Sequence, residues 1–484
     1  MPPDVGLGGP APRPGRPARN KRAAEVARRV QRDIVELGWP VGTVLGAEPE
    51  LLERYGVSRA VFREAVRLLE HLEVATTRRG PGGGLVVAAP QPTMVIEAVS
   101  LYLLYTGMTL EELFGARRAI EATVIELAVD RATDADIDRL RRQLAAEDPT
   151  APLGPEAQHR LHTIIAEVAR NPAAELFIDI LGRLAGRYAF AIGTAGPAAR
   201  RSSLEASLAA HRGIVDAVVR GDVGLARHRM DAHLDALGAW TRHRTRQTGG
   251  PPRLSPIGTS ADAKMAEQVA GLIVQDVLGR GWPVGEVLGS EAEMMARFDV
   301  SRAVVREAAR LLEHHQVAVM RRGPKGGLVV AAPEAAAVTD AVAIYLEYRR
   351  IEPSQLVEMR RGLELYAVER AAARIDEAGV ARLYQELDAE VAEGDESSHD
   401  NLHLAIADLA GNRAVRLFTS ILTQLTSDHV RDARMELDRA ARAGRTTGAV
   451  DAHRAIVKAL AAGDIPLARR RMQQHLDALQ PFLH

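Results

Sequence analysis

The chain has 484 residues, 46% hydrophobic but only 4% aromatic, with 62 Lys+Arg against 63 Asp+Glu and no cysteine. That length suits several domains with cores built from Ala and Leu, and the lack of thiols excludes disulfides and thiolate metal sites, leaving His and carboxylates as ligands. No apolar run approaches the ~18 residues of a membrane span, so no membrane partner is expected, and a formal net charge of −1 argues nothing by itself about polyanionic partners.

Residues 1–22, MPPDVGLGGPAPRPGRPARNKR, are rich in Pro, Gly and Arg and lack a hydrophobic stretch. They are no secretory signal; a disordered basic tail is expected, and a cytoplasmic chain. From 23 to 90 the pattern predicts three helices and a hairpin. Ala24 to Leu37 is amphipathic and stops at Gly38, with Pro40 just beyond, and Glu48 to Tyr55 is a short second helix. Gly56-Val57 makes a turn, and Ser58 is a natural N-cap for a third helix running to about His71. On it Phe62, Ala65, Val66 and Leu69 form a core-facing stripe, while Arg59, Arg63 and Arg67 fall at i, i+4 and i+8 on another face. Val74 to Thr77 and Leu85 to Val87 read as short strands joined by Arg78-Arg79-Gly80-Pro81-Gly82-Gly83-Gly84. The expected unit is a helix-turn-helix followed by a wing.

A recognition helix enters the major groove by its N-terminal turns, so arginines there reach bases or phosphates. Paired wing arginines carried on glycines suit phosphates or the minor groove. Taken alone, an arginine row at helical spacing is as well explained as a solvated face. RRGPGGGL is no nucleotide loop, because no Gly-Lys-Ser/Thr follows and the segment closes a hairpin.

Residues 94–240 show helical periods throughout. His211 lies 10 residues before Gly221-Asp222 and His233 lies 12 after Gly221. A turn there makes an antiparallel helix pair with both imidazoles ~15–18 Å from the turn, at nearly the same level. Residues 241–262, TRHRTRQTGGPPRLSPIGTSAD, are rich in Gly, Pro, Ser and Thr and are expected to be an exposed linker.

Everything then recurs. Residues 281–333 repeat residues 38–90 without a gap at an offset of 243, with 38 of 53 positions identical. The second unit divides into a winged module at 263–333 and a helical module at 336–480, where the offset slips to 241 and 242. Arg302, Arg306, Arg310, Arg321 and Arg322 recur while neighbouring surface positions drift, which favours double-stranded DNA as partner over the solvated-face reading. Residues 1–92 hold 14 Lys+Arg against 10 Asp+Glu, and residues 261–333 hold 9 of each, so placed arginines matter more than a bulk field. Glu64 and Glu307 recur beside them as salt-bridge partners. His453 and His475 flank Gly463-Asp464 with the same 10 and 12 spacing, and His399 and His403 are i, i+4 upstream. Together they make a four-imidazole site for a first-row divalent metal; the matching places in the first copy are Gln158, His162, His211 and His233, a weaker set. The plain alternative is buried histidines bonded to carbonyls.

The stretch GxxLxxExEL…(Y/F)xVSRxxxREAxRxLE…RRGPxGGLVV, at 42–87 and 285–330, resembles the winged helix-turn-helix of the GntR family of bacterial regulators. The resemblance implies DNA contact by Ser58, Arg59, Arg63 and the wing near Gly80, and by Ser301, Arg302, Arg306 and Gly323. Many members carry an arginine after the Glu of the second helix, where this chain has Pro49 and Ala292. The helical modules resemble the FCD effector-binding domain of the FadR-type subfamily through RxxxE at Arg117/Glu121 and Arg360/Glu364, HxxxxxxxxN at His162/Asn171 and His403/Asn412, and the His-x21-His pairs. That resemblance implies Zn²⁺ or another divalent ion such as Ni²⁺ beneath a small carboxylate effector. The family's Asp, four residues before the first His, is replaced here by Gln158 and His399, with Asp400 adjacent. Arg117 and Arg360 become candidates to pair with the effector carboxylate, or equally to bridge Glu121 and Glu364.

The expected architecture is therefore mainly α: two winged helix-turn-helix domains, each followed by an all-helical bundle, a pseudo-dimer in one chain. The expected function is a nucleoid-associated, metabolite-responsive transcriptional regulator on an operator of imperfect two-fold symmetry. Whether units pair within the chain or through a further homodimer stays open. The rivals are a metal-dependent hydrolase using the His cluster and a DNA-bound architectural protein with degenerate effector domains. The first has no HExxH motif.

Overall fold

The computed structural model describes residues 16–80, 82–147, 155–191, 197–248, 265–323, 326–393, 396–435 and 439–478. Contacts divide the chain into two units, residues 1–91 and 92–484.

The first unit contains α1 (Arg16–Glu36), β1 (Val44–Gly46), α2 (Glu48–Tyr55), α3 (Arg59–His71), β2 (Ala75–Arg78) and β3 (Gly84–Val87). Helix α1 reaches back to Arg16, so residues 16–22, expected to be disordered, are helical; a proline at the second position followed by Ala- and Arg-rich sequence favours that start. The rest of the expected tail, residues 1–15, lies outside the described residues. Gly56 ends α2 in the left-handed region (φ 62°), and the Ser58 hydroxyl accepts from Val61 N (3.4 Å) to start α3. The buried faces of α1 (Val26, Val30, Ile34) and α3 (Phe62, Ala65, Leu69) form the core with Leu51 and Val74. The hairpin pairs Ala75 with Val87 and Arg78 with Gly84, and β1 adds a third antiparallel strand in the order β1-β3-β2. A Cβ at Gly84 would stand 2.3 Å from the Gly46 carbonyl, so that crossing needs glycine.

The second unit repeats this module as α11 (Met265–Gly279), β4 (Val287–Gly289), α12 (Glu291–Phe298), α13 (Arg302–His314), β5 (Ala318–Arg321) and β6 (Gly327–Val330). Among the described residues it also holds two domains of seven helices each. The first comprises α4 (Pro92–Tyr105), α5 (Leu110–Arg131), α6 (Asp134–Ala146), α7 (Pro155–Val168), α8 (Pro172–Ala191), α9 (Pro197–Val219) and α10 (Val223–Thr248). The second comprises α14 (Ala335–Tyr348), α15 (Pro353–Ala372), α16 (Glu377–Glu393), α17 (Glu396–Leu409), α18 (Arg413–Met435), α19 (Arg439–Ala461) and α20 (Ile465–Asp477). Helix α10 runs eight residues into the stretch expected to be a linker, because its Gly-Gly-Pro-Pro stop signal comes only after Thr248; residues 249–264 lie outside the described residues.

One continuous apolar core serves both helical domains. Phe177 and Phe418, equivalent residues of the two copies, stack at 4.1 Å between centroids. Asn171 and Asn412 each cap the following helix through Oδ1 and reach across with Nδ2, Asn171 to the Gln355 carbonyl (2.8 Å) and Asn412 to the Glu112 carbonyl (2.7 Å). Glu112 and Gln355 are themselves equivalent at the offset of 243, so the contact is reciprocal. The second winged module is seated on α4 of the first helical domain: Leu101 is fully buried in its core, and Tyr105 meets Trp282 edge-on at 5.3 Å. Among the described residues no helix is long and apolar enough to cross a membrane.

Candidate nucleic-acid interface and metal centres

On α3, Arg59, Arg63 and Arg67 project into solvent, and Arg302, Arg306 and Arg310 do the same on α13, with 62–76% of each side chain exposed. A carboxylate at the start of the preceding helix gathers the first two. Glu48 lies 3.3 Å from both Arg59 and Arg63, and Glu291 lies 3.0 Å from Arg302 and 3.2 Å from Arg306. Arg67 and Arg310 pair with Glu64 and Glu307 at 2.9 and 3.1 Å. Exposed pairs of this kind contribute only about 0–1 kcal/mol. They orient the guanidiniums at little cost to exchanging the carboxylate for a phosphate. In the wing, Arg78 donates to the Gly82 carbonyl (3.0 Å), and Arg79, Gly80, Arg321, Arg322 and Gly323 are exposed. Ser58 and Ser301 use their hydroxyls as N-caps. Glu48 and Glu291 were not singled out in the sequence, although both copies retain them.

Each helical domain gathers three histidines. His162 comes from α7, His211 from α9 and His233 from α10; His403, His453 and His475 come from α17, α19 and α20. The chain reverses at Gly221 and Gly463, both at positive φ, with Asp222 and Asp464 capping the next helix. All six imidazoles are buried. In the second triad the three Nε2 atoms stand 3.2, 3.3 and 3.2 Å apart. Nitrogens bound at ~2.05 Å to one tetrahedral ion stand ~3.3 Å apart, so this donor set fits a single divalent metal. Ring centroids are 5.0, 5.1 and 4.6 Å apart there and 5.5, 5.3 and 4.8 Å in the first triad. The first triad is looser, and His211 Nε2 is buried without a hydrogen-bond partner among the described residues.

Carboxylates fix the opposite ring nitrogens. Glu364 binds His403 Nδ1 (2.5 Å) and Glu390 binds His453 Nδ1 (2.7 Å); Glu121 binds His162 Nδ1, and Glu147 binds His211 Nδ1 (2.9 Å). A proton held on Nδ1 leaves the Nε2 lone pair for a metal. Burial lowers His162 to about 4, the Glu121 charge opposing it only in part, and burial carries His233 well below its ordinary value. Both shifts favour the neutral imidazole. Burial would raise Glu364, yet Arg360 and His403 bring it down to about 2, and Arg117 and His162 likewise hold Glu121 far below the carboxylate range. Arg117 and Arg360 thus form buried ion pairs with Glu121 and Glu364, both at 2.7 Å. Arg360 Nη2 remains buried without a hydrogen-bond partner among the described residues.

The fourth position, expected of His399 or Asp400, lies partly outside the described residues. Asp400 accepts a hydrogen bond from Ser427 (2.7 Å) and is not among the side chains that cluster tightly in the second triad. One residue along a helix is a turn of ~100°, which puts Asp400 on another flank from His399. The side chains of Gln158 and His399 fall outside the described residues. Glu147 and Glu390 escaped the sequence reading, although the offset of 243 relates them and both copies keep Glu.

Residues 22–85 and 265–329 match the family described as bacterial regulatory proteins, gntR family, and residues 112–236 and 355–478 match the FCD domain. A protein of Mycobacterium gastri, provisionally named HTH-type transcriptional regulator RmpR, is 34% identical over 158 residues; the match covers 31% of this chain and 56% of that protein's length. A protein of Escherichia coli K12, provisionally named L-lactate dehydrogenase operon regulatory protein, is 29% identical over 43% of this chain and 82% of its own length. LutR of Bacillus subtilis is 26% identical over 41% and 92%. The solved structure of Streptococcus agalactiae GntR covers 45% of this chain and 99% of its own at 21% identity, with a TM-score of 0.33. With both domain types matched twice in succession, the chain belongs to the GntR family of bacterial transcriptional regulators and carries the FCD effector domain in each half.

Proposed function

We propose that this regulator responds to a small carboxylate metabolite bound over a divalent metal, and that one chain reads both half-sites of an imperfect palindrome. The observation that carries the reading is the second histidine triad, with Nε2 atoms at single-ion spacing. His403, His453 and His475 would hold Zn²⁺ or Ni²⁺, and the bound ion would supply a positive centre with an open position for an anion. Arg360, with one buried Nη2 to spare, is the protein's own donor to the effector carboxylate. In the first helical domain His162, His211 and His233 form the weaker site, and Arg117 is more fully committed to Glu121. A relative named for an L-lactate dehydrogenase operon is in keeping with a carboxylate ligand. Effector binding must favour one arrangement of the winged modules over another, since equal affinity for both transmits nothing.

The test is metal analysis of the purified full chain, followed by operator binding with and without candidate carboxylates. His453→Ala is expected to remove most metal and abolish the effector response more completely than His211→Ala, with DNA binding largely spared. Absence of metal, together with no stabilisation by added Zn²⁺ or Ni²⁺, would overturn the metal reading. Equal responses in the two variants would overturn the assignment of the second helical domain as principal sensor.

A further inference from the structure

Away from both histidine triads, a cavity of about 530 Å³ opens where the two helical domains meet. The first domain contributes α5, and the second contributes α15 with its following turn, α17 and the start of α18. Five arginines line it, Arg118, Arg370, Arg374, Arg413 and Arg416, against three carboxylates, Glu111, Glu112 and Asp408.

The local pairings decide which positive charges are open. Arg413 is matched by Glu112 at 2.7 Å, Arg416 by Asp408 at 2.7 Å, and Arg118 by Asp235 at 2.7 Å. Arg370 has only Glu111 at 3.7 Å, whose side chain is 76% exposed, and its Nε is buried without a hydrogen-bond partner among the described residues. Arg374 makes no ion pair among the described residues; its guanidinium covers Gly411, where an added Cβ would fall 2.8 Å from Nη1. Two guanidiniums four residues apart on one chain segment, one loosely matched and one unmatched, therefore face the same polar hollow beside the Tyr366 ring.

The duplicated sequence shows that this hollow arises from divergence between the copies. At the equivalent positions of the other half, Leu127 replaces Arg370, Arg170 replaces Gly411, Pro172 replaces Arg413 and Glu175 replaces Arg416. Arg131, the counterpart of Arg374, bonds Glu358 and the Ala169 carbonyl, and Arg170 reaches Asp136 at 2.7 Å. There the arginines have partners and the glycine's space carries a side chain.

We propose that the cavity binds one small polyanionic oxyanion per chain, a phosphate monoester or a compact di- or tricarboxylate, with Arg370 and Arg374 as its two counter-ions. Forked guanidiniums present paired donors to either kind of oxyanion. The ligand would bridge the two helical domains in a cavity that none of the triad histidines lines.

Titration calorimetry on the full chain with inorganic phosphate, glycerol phosphate and citrate tests this, the three arms separating phosphate from carboxylate recognition. The expected result is saturable binding of at least one probe with a stoichiometry of one per chain, weakening with salt. Arg370→Gln/Arg374→Gln is expected to weaken it by ~10-fold or more, with the thermal midpoint of the free protein unchanged because neither side chain is buried as a whole. Gly411→Arg, which copies Arg170 at a position where arginine already adopts positive φ, is expected to abolish it. His211→Ala/His453→Ala is expected to leave it intact. A stoichiometry of two, loss in the histidine variant, indifference to the Arg370/Arg374 change, or no binding of any probe each overturns the proposal.

Discussion

Glu390 and Glu364 touch only the Nδ1 side of the imidazoles, yet they decide which nitrogen carries the proton. Replacing Glu390 by Gln keeps the shape and removes the charge, and metal affinity is expected to fall roughly 10–100-fold, read by competition with a chelating dye. Unchanged affinity would show that His453 is oriented by packing alone. The histidines themselves were legible because their spacing is one-dimensional: 10 and 12 residues about a Gly-Asp turn. Their carboxylate partners were not, because Glu147 at the C-cap of α6 and Glu390 on α16 come more than sixty residues earlier, and nothing in local spacing points from one to the other. Arg117 and Arg360 show the same limit. An RxxxE motif marks one helix face, but whether that face is wet or buried depends on helices that pack on it, and both arginines are 3% exposed or less. On the exposed face of α13, Arg302→Ala is expected to weaken operator binding and lower the salt slope by ~1, measured by fluorescence anisotropy across a salt series. Unaltered binding would assign the second winged module a structural role only.

Helix ends were the places where sequence signals and structure parted. Strong formers extended α1 back to Arg16 and α10 on to Thr248, since a polar, flexible-looking composition is also a good exposed helix. Strand β1 was missed because three residues, Val44–Gly46, are too few to show alternation. The helix-turn-helix and its hairpin were legible to within a residue or two, because Ser58 and Gly56 announce a start and a stop. The Ser301 hydroxyl accepts from Val304 N, so Ser301→Ala is expected to cost about 1 kcal/mol and Ser301→Gly only a few tenths, seen in melts without DNA. If the alanine variant loses DNA affinity at unchanged stability, the hydroxyl serves phosphate and not the helix. The seat of the second winged module on α4 gives a further expectation: Tyr105→Ala should loosen that module and reduce the response of the second half-site, as footprinting of each half-site separately would reveal. Equal protection of both half-sites would remove α4 from the signalling route.

Across the molecule, Glu112 joins the two helical domains through Arg413 and the Asn412 side chain. Burial would raise its pKa, but hydrogen bonds from Thr109 N and Arg413 N and the Arg413 charge bring it below 4.5. A carboxyl depressed in the folded state stabilises fully above its unfolded value and ceases to do so as pH falls through the folded one. The contact between domains is therefore expected to weaken below pH 4.5, and Glu112→Gln should flatten that part of the stability profile. An identical acid profile in the variant would place the acid-sensitive contact elsewhere. The two-fold repeat made the four-module plan readable at once, but the partner of each half was not, because a repeat says nothing about which surfaces meet. In the structure Asn171 and Asn412 reach reciprocally from one helical domain to the other of the same chain.

That reciprocity has a consequence for dosage. A regulator assembled from separate subunits loses its active form with the square of concentration when scarce, and a defective allele can poison a good one by mixing. If one chain supplies both halves of the DNA-binding form, as proposed above, operator occupancy at low copy number is expected to fall in direct proportion to the protein present. A damaged allele should be recessive in a cell that also carries an intact one, and each copy is free to drift apart from its twin.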